Sequence, residues 1–85
     1  MQFNKFWNKA TKEERQLMAD LTFRNISYLR RLATQPGCSA TTGKLIVNAS
    51  ERLAAKNQKL EKIDVRSLLT EKGLQEFKLL NGADV

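Results

Sequence analysis

The chain has 85 residues, 41% of them hydrophobic and 28% charged, and its 15 Lys and Arg against nine Asp and Glu give a formal net charge of +6. This length accommodates one small domain and excludes a large core with a deep catalytic pocket. The single Cys38 and the absence of histidine exclude an intramolecular disulfide and a Cys/His metal site, so we expect no metal, no cofactor and a reducing cytoplasm.

The first predicted helix carries aromatic residues. Phe3, Phe6 and Trp7 recur at i, i+3 and i+4, which predicts a short helix whose aromatic stripe packs on the core. A stacking platform for nucleic-acid bases is the alternative use of such a stripe.

A capping box predicts where the second helix begins. Thr11 and Glu14 have the S/T-x-x-E spacing in which each side chain bonds the backbone amide of the other residue. The apolar side of this helix is predicted to comprise Leu17, Met18 and Leu21, next to the small residue Ala19.

A third helix is predicted after a turn at residues 22–25. Asn25 is its candidate N-cap, and the apolar residues that follow with helical spacing are Ile26, Leu29, Leu32 and Ala33. The outer side then carries Ser27, Arg30, Arg31 and Thr34, with Tyr28 near the boundary. Pro36 and Gly37 are expected to end the helix, because the residue before a proline avoids helical conformations.

Two further helical segments complete the chain. Ser39 is the candidate cap of a fourth helix, with a core-facing stripe at Leu45, Ile46, Ala49, Leu53 and Ala54. Asp64 is the candidate cap of a last segment, whose apolar residues are Val65, Leu68, Leu69, Leu74, Phe77, Leu79 and Leu80 and whose end is marked by Asn81 and Gly82. Because no strand pattern occurs, the predicted class is all-α with about five helices.

The net positive charge lies in the middle of the chain. Residues 24–62 include eight basic and two acidic residues, which accounts for the whole excess of +6. Such a field suits a polyanion, since each neutralised phosphate releases condensed counterions. The alternative is a solvated surface that keeps the protein soluble.

The stretch Met18-Ala19-Asp20, followed by Ile26-Ser27-Tyr28-Leu29-Arg30-Arg31-Leu32-Ala33, resembles the helix-turn-helix of the lambda-repressor-like family. It resembles especially the small Cro-type regulators of phages and prophages. In a window that starts at Arg15, the fifth, fifteenth and eighteenth residues are Ala19, Leu29 and Leu32, and all three match the family pattern. Phe23 departs from it, because it stands where the family usually places a glycine in a left-handed turn.

The resemblance implies a set of DNA-binding residues. Its groove-facing positions correspond to Asn25, Ile26, Ser27 and Arg31, with Tyr28 and Arg30 also near the DNA. Of these, Arg31 is expected to pair with guanine, Asn25 with adenine and Ile26 with a thymine methyl group. Contacts to phosphates are expected from Gln16, Arg24, Arg30 and Lys44.

The resemblance also implies partners and a domain organisation. It implies a transcriptional regulator that binds double-stranded DNA as a homodimer, with a helix-turn-helix domain over residues 1–62 and a helical segment over residues 63–85 as the candidate dimerisation element. Packing of residues 65–80 on the protein's own core is the alternative. Rival functions are a phage or plasmid protein-interaction module that docks on a host factor, and an RNA-binding protein.

No catalytic set emerges from the sequence. Cys38 has no histidine to activate it, and the carboxylates of Glu13, Glu14 and Asp20 lie on a helix surface without an apolar pocket. No apolar run approaches the length of a membrane span, and the first residues lack the apolar stretch of a secretory signal. We therefore expect a cytoplasmic protein that is not an enzyme, has no small-molecule substrate and does not bind a membrane.

Overall fold

The computed structural model describes residues 1–80, the last of them by its backbone alone. Five α-helices follow one another: α1 (Phe3–Lys9), α2 (Lys12–Thr22), α3 (Ile26–Thr34), α4 (Ala40–Lys56) and α5 (Glu71–Leu80). A short 3₁₀ turn, Val65–Ser67, precedes α5, and no β-strand occurs in the described part of the chain. The predicted all-α class with about five helices is confirmed. The predicted end at Asn81 and Gly82 lies outside the described residues.

Three predicted N-caps begin three of the helices. Thr11 Oγ1 accepts the Glu14 amide at 3.1 Å, and the Glu14 carboxylate accepts the Thr11 amide at 2.8 Å, so the capping box is complete. Asn25 Oδ1 accepts an amide of α3 at 2.7 Å, and Ser39 Oγ accepts one of α4 at 3.4 Å. These caps satisfy backbone donors that a helix leaves without intrahelical partners.

The core lies between α2, α4 and the flanking short elements. The aromatic stripe of α1 is buried, and the rings of Phe3 and Trp7 meet edge to face at a centroid distance of 5.8 Å. The packing interpretation of this stripe is therefore confirmed. The prediction for Leu17 is wrong, because its side chain is 41% exposed. Met18 and Thr22 instead form the buried side of α2, which packs along α4.

Polar groups in the second half of α4 and at its C-cap connect this helix to the rest of the fold. Ser50 Oγ donates to the Val47 carbonyl at 2.7 Å and accepts the Ile63 amide at 3.0 Å. Glu14 accepts two hydrogen bonds from the Asn57 amide, at 3.0 and 3.2 Å. Burial disfavours the Glu14 carboxylate, but its hydrogen bonds outweigh that effect and lower the pKa of the carboxyl.

The last predicted segment differs from the structure. Asp64 caps only the 3₁₀ turn, since its carboxylate accepts the Arg66 amide at 3.0 Å, and α5 begins after Thr70. Between them the backbone is paired with Cys38, whose amide donates to Leu68 at 2.9 Å and whose carbonyl accepts the Thr70 amide at 3.2 Å. This pairing interrupts the helix that apolar spacing predicts.

Cys38 and the N-terminal residue both contact this late segment. Burial raises the pKa of the Cys38 thiol to about 11, so the thiol is protonated at neutral pH.

The Met1 carbonyl accepts the Asp64 amide at 2.8 Å, and the Met1 ammonium donates to the Lys62 carbonyl at 3.0 Å. Ile63 and Leu68 are buried in the same core as the aromatic residues of α1.

Candidate nucleic-acid interface

The turn between α2 and α3 consists of three residues and is left-handed at the first of them. Phe23 has φ 57° and ψ 34°, and it is the one non-glycine residue with positive φ in the part of the chain that the structure describes. The Arg24 amide reaches back to the Ala19 carbonyl at 3.1 Å and closes the end of α2. The Phe23 ring is 82% exposed, so burial of the side chain does not offset the conformational strain.

Arg24 holds this turn against α4. Its guanidinium donates to Thr42 Oγ1 at 2.9 Å and to the Phe23 carbonyl at 3.2 Å. The sequence predicts a phosphate contact for Arg24, and in the structure its guanidinium also connects the turn with the first turn of α4. Its role in the fold is to fix the orientation of α3.

Asn25 is the N-cap of α3, and its side-chain oxygen Oδ1 accepts a hydrogen bond there. Because Oδ1 already accepts the Tyr28 amide, an adenine amino group would share this oxygen with the cap through its second lone pair. The two hydrogens of Asn25 Nδ2 have no acceptor among the described residues, so both remain available as donors.

The outer face of α3 is exposed and basic. Leu29, Leu32 and Ala33 are buried beneath the helix. The residues on the opposite face are all exposed: Ser27, Arg30, Arg31 and Thr34. Neither arginine belongs to an ion pair, since the described residues contain one salt bridge and it joins Lys62 to Glu51.

Two of the remaining predicted site residues lie on α3 beside this face, and the other two lie on α2 and α4. Ile26 and Tyr28 are half-buried at its edges, and burial raises the pKa of the Tyr28 hydroxyl. The Gln16 amide donates to Asp20 at 3.1 Å, and Gln16 lines a concavity of about 550 Å³ whose other walls include Phe23, Asn25 and Ile26. Lys44 is exposed on α4.

The charge around α3 has a single sign along the sequence. No acidic residue occurs between Asp20 and Glu51, and this stretch contains four basic residues. Three of them (Arg24, Arg30 and Arg31) belong to the turn or to α3, so this region carries a local positive field that a polyanion would neutralise.

Arg15, on α2, is not among the DNA-binding residues that the family resemblance implies. In the structure its Nε donates to the Trp7 carbonyl at 2.9 Å, and its guanidinium lies 5.1 Å from the centre of the Trp7 ring. Both contacts join residues eight positions apart on different helices, so no periodicity within one helix indicates them. The arginine nevertheless reaches the edge of α3, where it lines a cleft with Arg30.

Comparisons with family models, with curated proteins and with solved structures found no match to this chain. Within residues 1–80, no helix is both long and apolar enough to cross a membrane. The same residues contain no cluster of three or more His, Cys, Asp or Glu side chains with the proximity that a metal ion needs.

Proposed function

We propose that the protein is a sequence-specific DNA-binding regulator that inserts α3 into the major groove. The observation that carries the proposal is the outer face of α3, where two guanidinium groups without an ion pair among residues 1–80 project from a helix whose opposite face is anchored in the core. A helix fits the roughly 12 Å width of the major groove, where base edges present distinguishable donors and acceptors. The α2 helix and the rigid turn would brace α3 during docking.

The positions of the side chains suggest separate roles. Arg31 lies near the centre of the exposed face, so it is the candidate for bidentate hydrogen bonds to guanine O6 and N7. Ser27 lies one helical turn before it and would contact an adjacent base. Gln16 on α2 and Lys44 on α4 would hold phosphates, which position the protein without selecting sequence.

A homodimer is part of the proposal. A single short helix reads few base pairs, and regulators of this size gain affinity and selectivity when two protomers bind paired half-sites. Of the candidate dimer segment, Leu68 is fully buried in the protein's own core, whereas Leu79 is 81% exposed. The exposed end of α5 is therefore the part of this segment left available for a second copy.

The function is tested by selection from a pool of random duplexes followed by titration of the preferred duplex. We expect Arg31→Ala to weaken binding to that duplex by roughly 1–3 kcal/mol and to relax the preference at one base pair. The matched control is Arg52→Ala, which removes an equal charge from an exposed position on α4 and should leave the selectivity unchanged. Equal selectivity of Arg31→Ala and the wild type would refute the assignment of α3.

The two rival functions predict different binding data. A module that docks on a host protein through α5 should bind no duplex at moderate salt, whereas the proposed regulator should lose duplex affinity steeply as salt rises. An RNA-binding protein should prefer single-stranded or hairpin RNA over duplex DNA in direct competition. Either result would replace the proposal.

A further inference from the structure

A second basic feature lies between α1 and α3, beside the exposed face. It is a cleft of about 440 Å³. Its polar lining consists of two guanidinium groups, two carboxamides and a hydroxyl, from Arg15, Arg30, Asn4, Asn8 and Thr34. The lining contains no carboxylate, so the cleft has a charge of +2 with no internal counterion.

Two contacts restrict the Arg15 side chain. Its Nε–H donates to the Trp7 carbonyl and its planar group lies over the Trp7 ring, which together restrict the side chain. The terminal nitrogens of this guanidinium have no hydrogen-bond partner among the described residues. They form a pair of parallel donors, the arrangement that matches two oxygens of a phosphate.

Among the neutral groups of the cleft, Asn4 favours an acceptor ligand. Asn4 Oδ1 is occupied by the Lys5 amide at 2.8 Å, so the side chain offers its amide hydrogens rather than its oxygen. Thr34 donates its hydroxyl hydrogen to the Arg30 carbonyl at 3.3 Å and is therefore not counted among the donors. Donors supplied by Arg15, Arg30 and Asn4 thus surround a space without negative charge.

We propose that this cleft binds a backbone phosphate of the duplex that α3 enters, an inference that rests on the proposed function. The sugar-phosphate strands lie on both sides of a helix seated in the major groove. Arg30 is adjacent to Arg31 in sequence but lies at the edge of α3 that faces α1, where such a strand would pass. The cleft assigns Arg15, which lies outside the recognition helix, to DNA binding.

The test measures affinity for a random-sequence duplex as a function of salt concentration. Each phosphate contact contributes about 0.9 to the slope of log K against log salt, so Arg15→Ala and Arg30→Ala should each reduce the slope by about that amount. Because a phosphate carries no sequence information, both variants should weaken the preferred and random duplexes by the same factor. Arg52→Ala removes an equal charge from α4 and should leave the contribution of the cleft to the salt slope unchanged.

The outcomes separate the two proposals. If the wild type binds no duplex, the proposed function fails; if it binds and both cleft variants keep the wild-type slope, only the cleft assignment fails. If Arg15→Ala does not fold, Arg30→Ala alone tests the cleft assignment. The Arg30 side chain makes no hydrogen bond or ion pair in the described structure, so this variant should fold.

A second measurement distinguishes the source of the phosphate. Trp7 is the single tryptophan and lies beneath Arg15, so its fluorescence should respond to a ligand in the cleft. Inorganic phosphate, titrated against sodium chloride at constant ionic strength, should give no saturable change. A saturable change that Arg30→Ala abolishes would assign the cleft to free phosphate and overturn the backbone assignment.

Discussion

Phe23 shows how one residue determines the geometry of the turn. The family resemblance places a glycine at this position, and the structure keeps the left-handed turn with phenylalanine in it. A left-handed conformation costs a residue with a Cβ roughly 1–2 kcal/mol, and an exposed ring recovers little of that cost. The packing of α2 and α3 on the core, together with Arg24, must hold the turn in place.

Replacement of Phe23 by glycine should therefore stabilise the protein. Relief of strain exceeds the added entropy of the unfolded chain, so we expect Phe23→Gly to raise the free energy of unfolding by up to about 1 kcal/mol. Urea denaturation monitored by circular dichroism measures this difference. Gln35→Gly is the control, because Gln35 is exposed with φ −127° and should lose stability from unfolded-chain entropy alone. A comparable loss in both variants would show that Phe23 is not strained.

At the scale of elements, local signals were predictable and long-range pairing was not. The caps at Thr11, Asn25 and Ser39 depend on groups within three residues, so the sequence alone indicates them. The exposed face of α3 likewise follows from helical periodicity. The extended stretch before α5 depends on Cys38, some thirty residues earlier, and no pattern within residues 63–80 reports that partner.

The attachment of α5 depends on a close approach at Gly73. A Cβ added there would lie 2.6 Å from the Cys38 carbonyl oxygen, which is fixed by the Thr70 amide. Although alanine favours a helix interior by about 1 kcal/mol, the overlap with backbone should dominate, and we expect Gly73→Ala to lower the free energy of unfolding by about 1–2 kcal/mol.

Gly43→Ala is the matched comparison for Gly73→Ala. The Cβ at position 43 would meet the end of the Leu69 side chain, which can change rotamer, so this variant should lose less stability. Chemical denaturation of both variants measures the difference. A greater loss for Gly43→Ala would contradict a rigid contact between Gly73 and the Cys38 carbonyl.

For the whole molecule, size and charge are consistent with one protomer on one DNA half-site. The described part measures 37 × 24 × 20 Å, and half-sites of dimeric regulators repeat at about 34–36 Å along one face of the duplex. The charged residues of the sequence predicted the positive charge of the surface around α3. The contacts that connect Arg24 with α4 and Arg15 with α1 required the tertiary structure, because each joins separate elements.

The proposed dimer predicts a dependence on half-site spacing. Two inverted copies of the selected half-site, centred one helical turn apart, should bind two chains with higher affinity than copies centred half a turn further apart. Analytical ultracentrifugation of each protein–duplex mixture gives the number of chains bound, and titration gives the affinity. Independent binding of one chain per half-site at both spacings would exclude cooperation between protomers.

The contacts between Met1 and residues 62–64 have a consequence for the order of folding. During synthesis α1 is made well before Ile63 and Leu68, with which its aromatic residues share a core. The helices that form early therefore lack these core partners until later. The folding step that completes the core joins chain segments about sixty residues apart. Such non-local closure slows folding relative to helical proteins whose contacts are mostly local. Until that step, the aromatic side chains of α1 remain exposed to chaperones and to other unfinished chains.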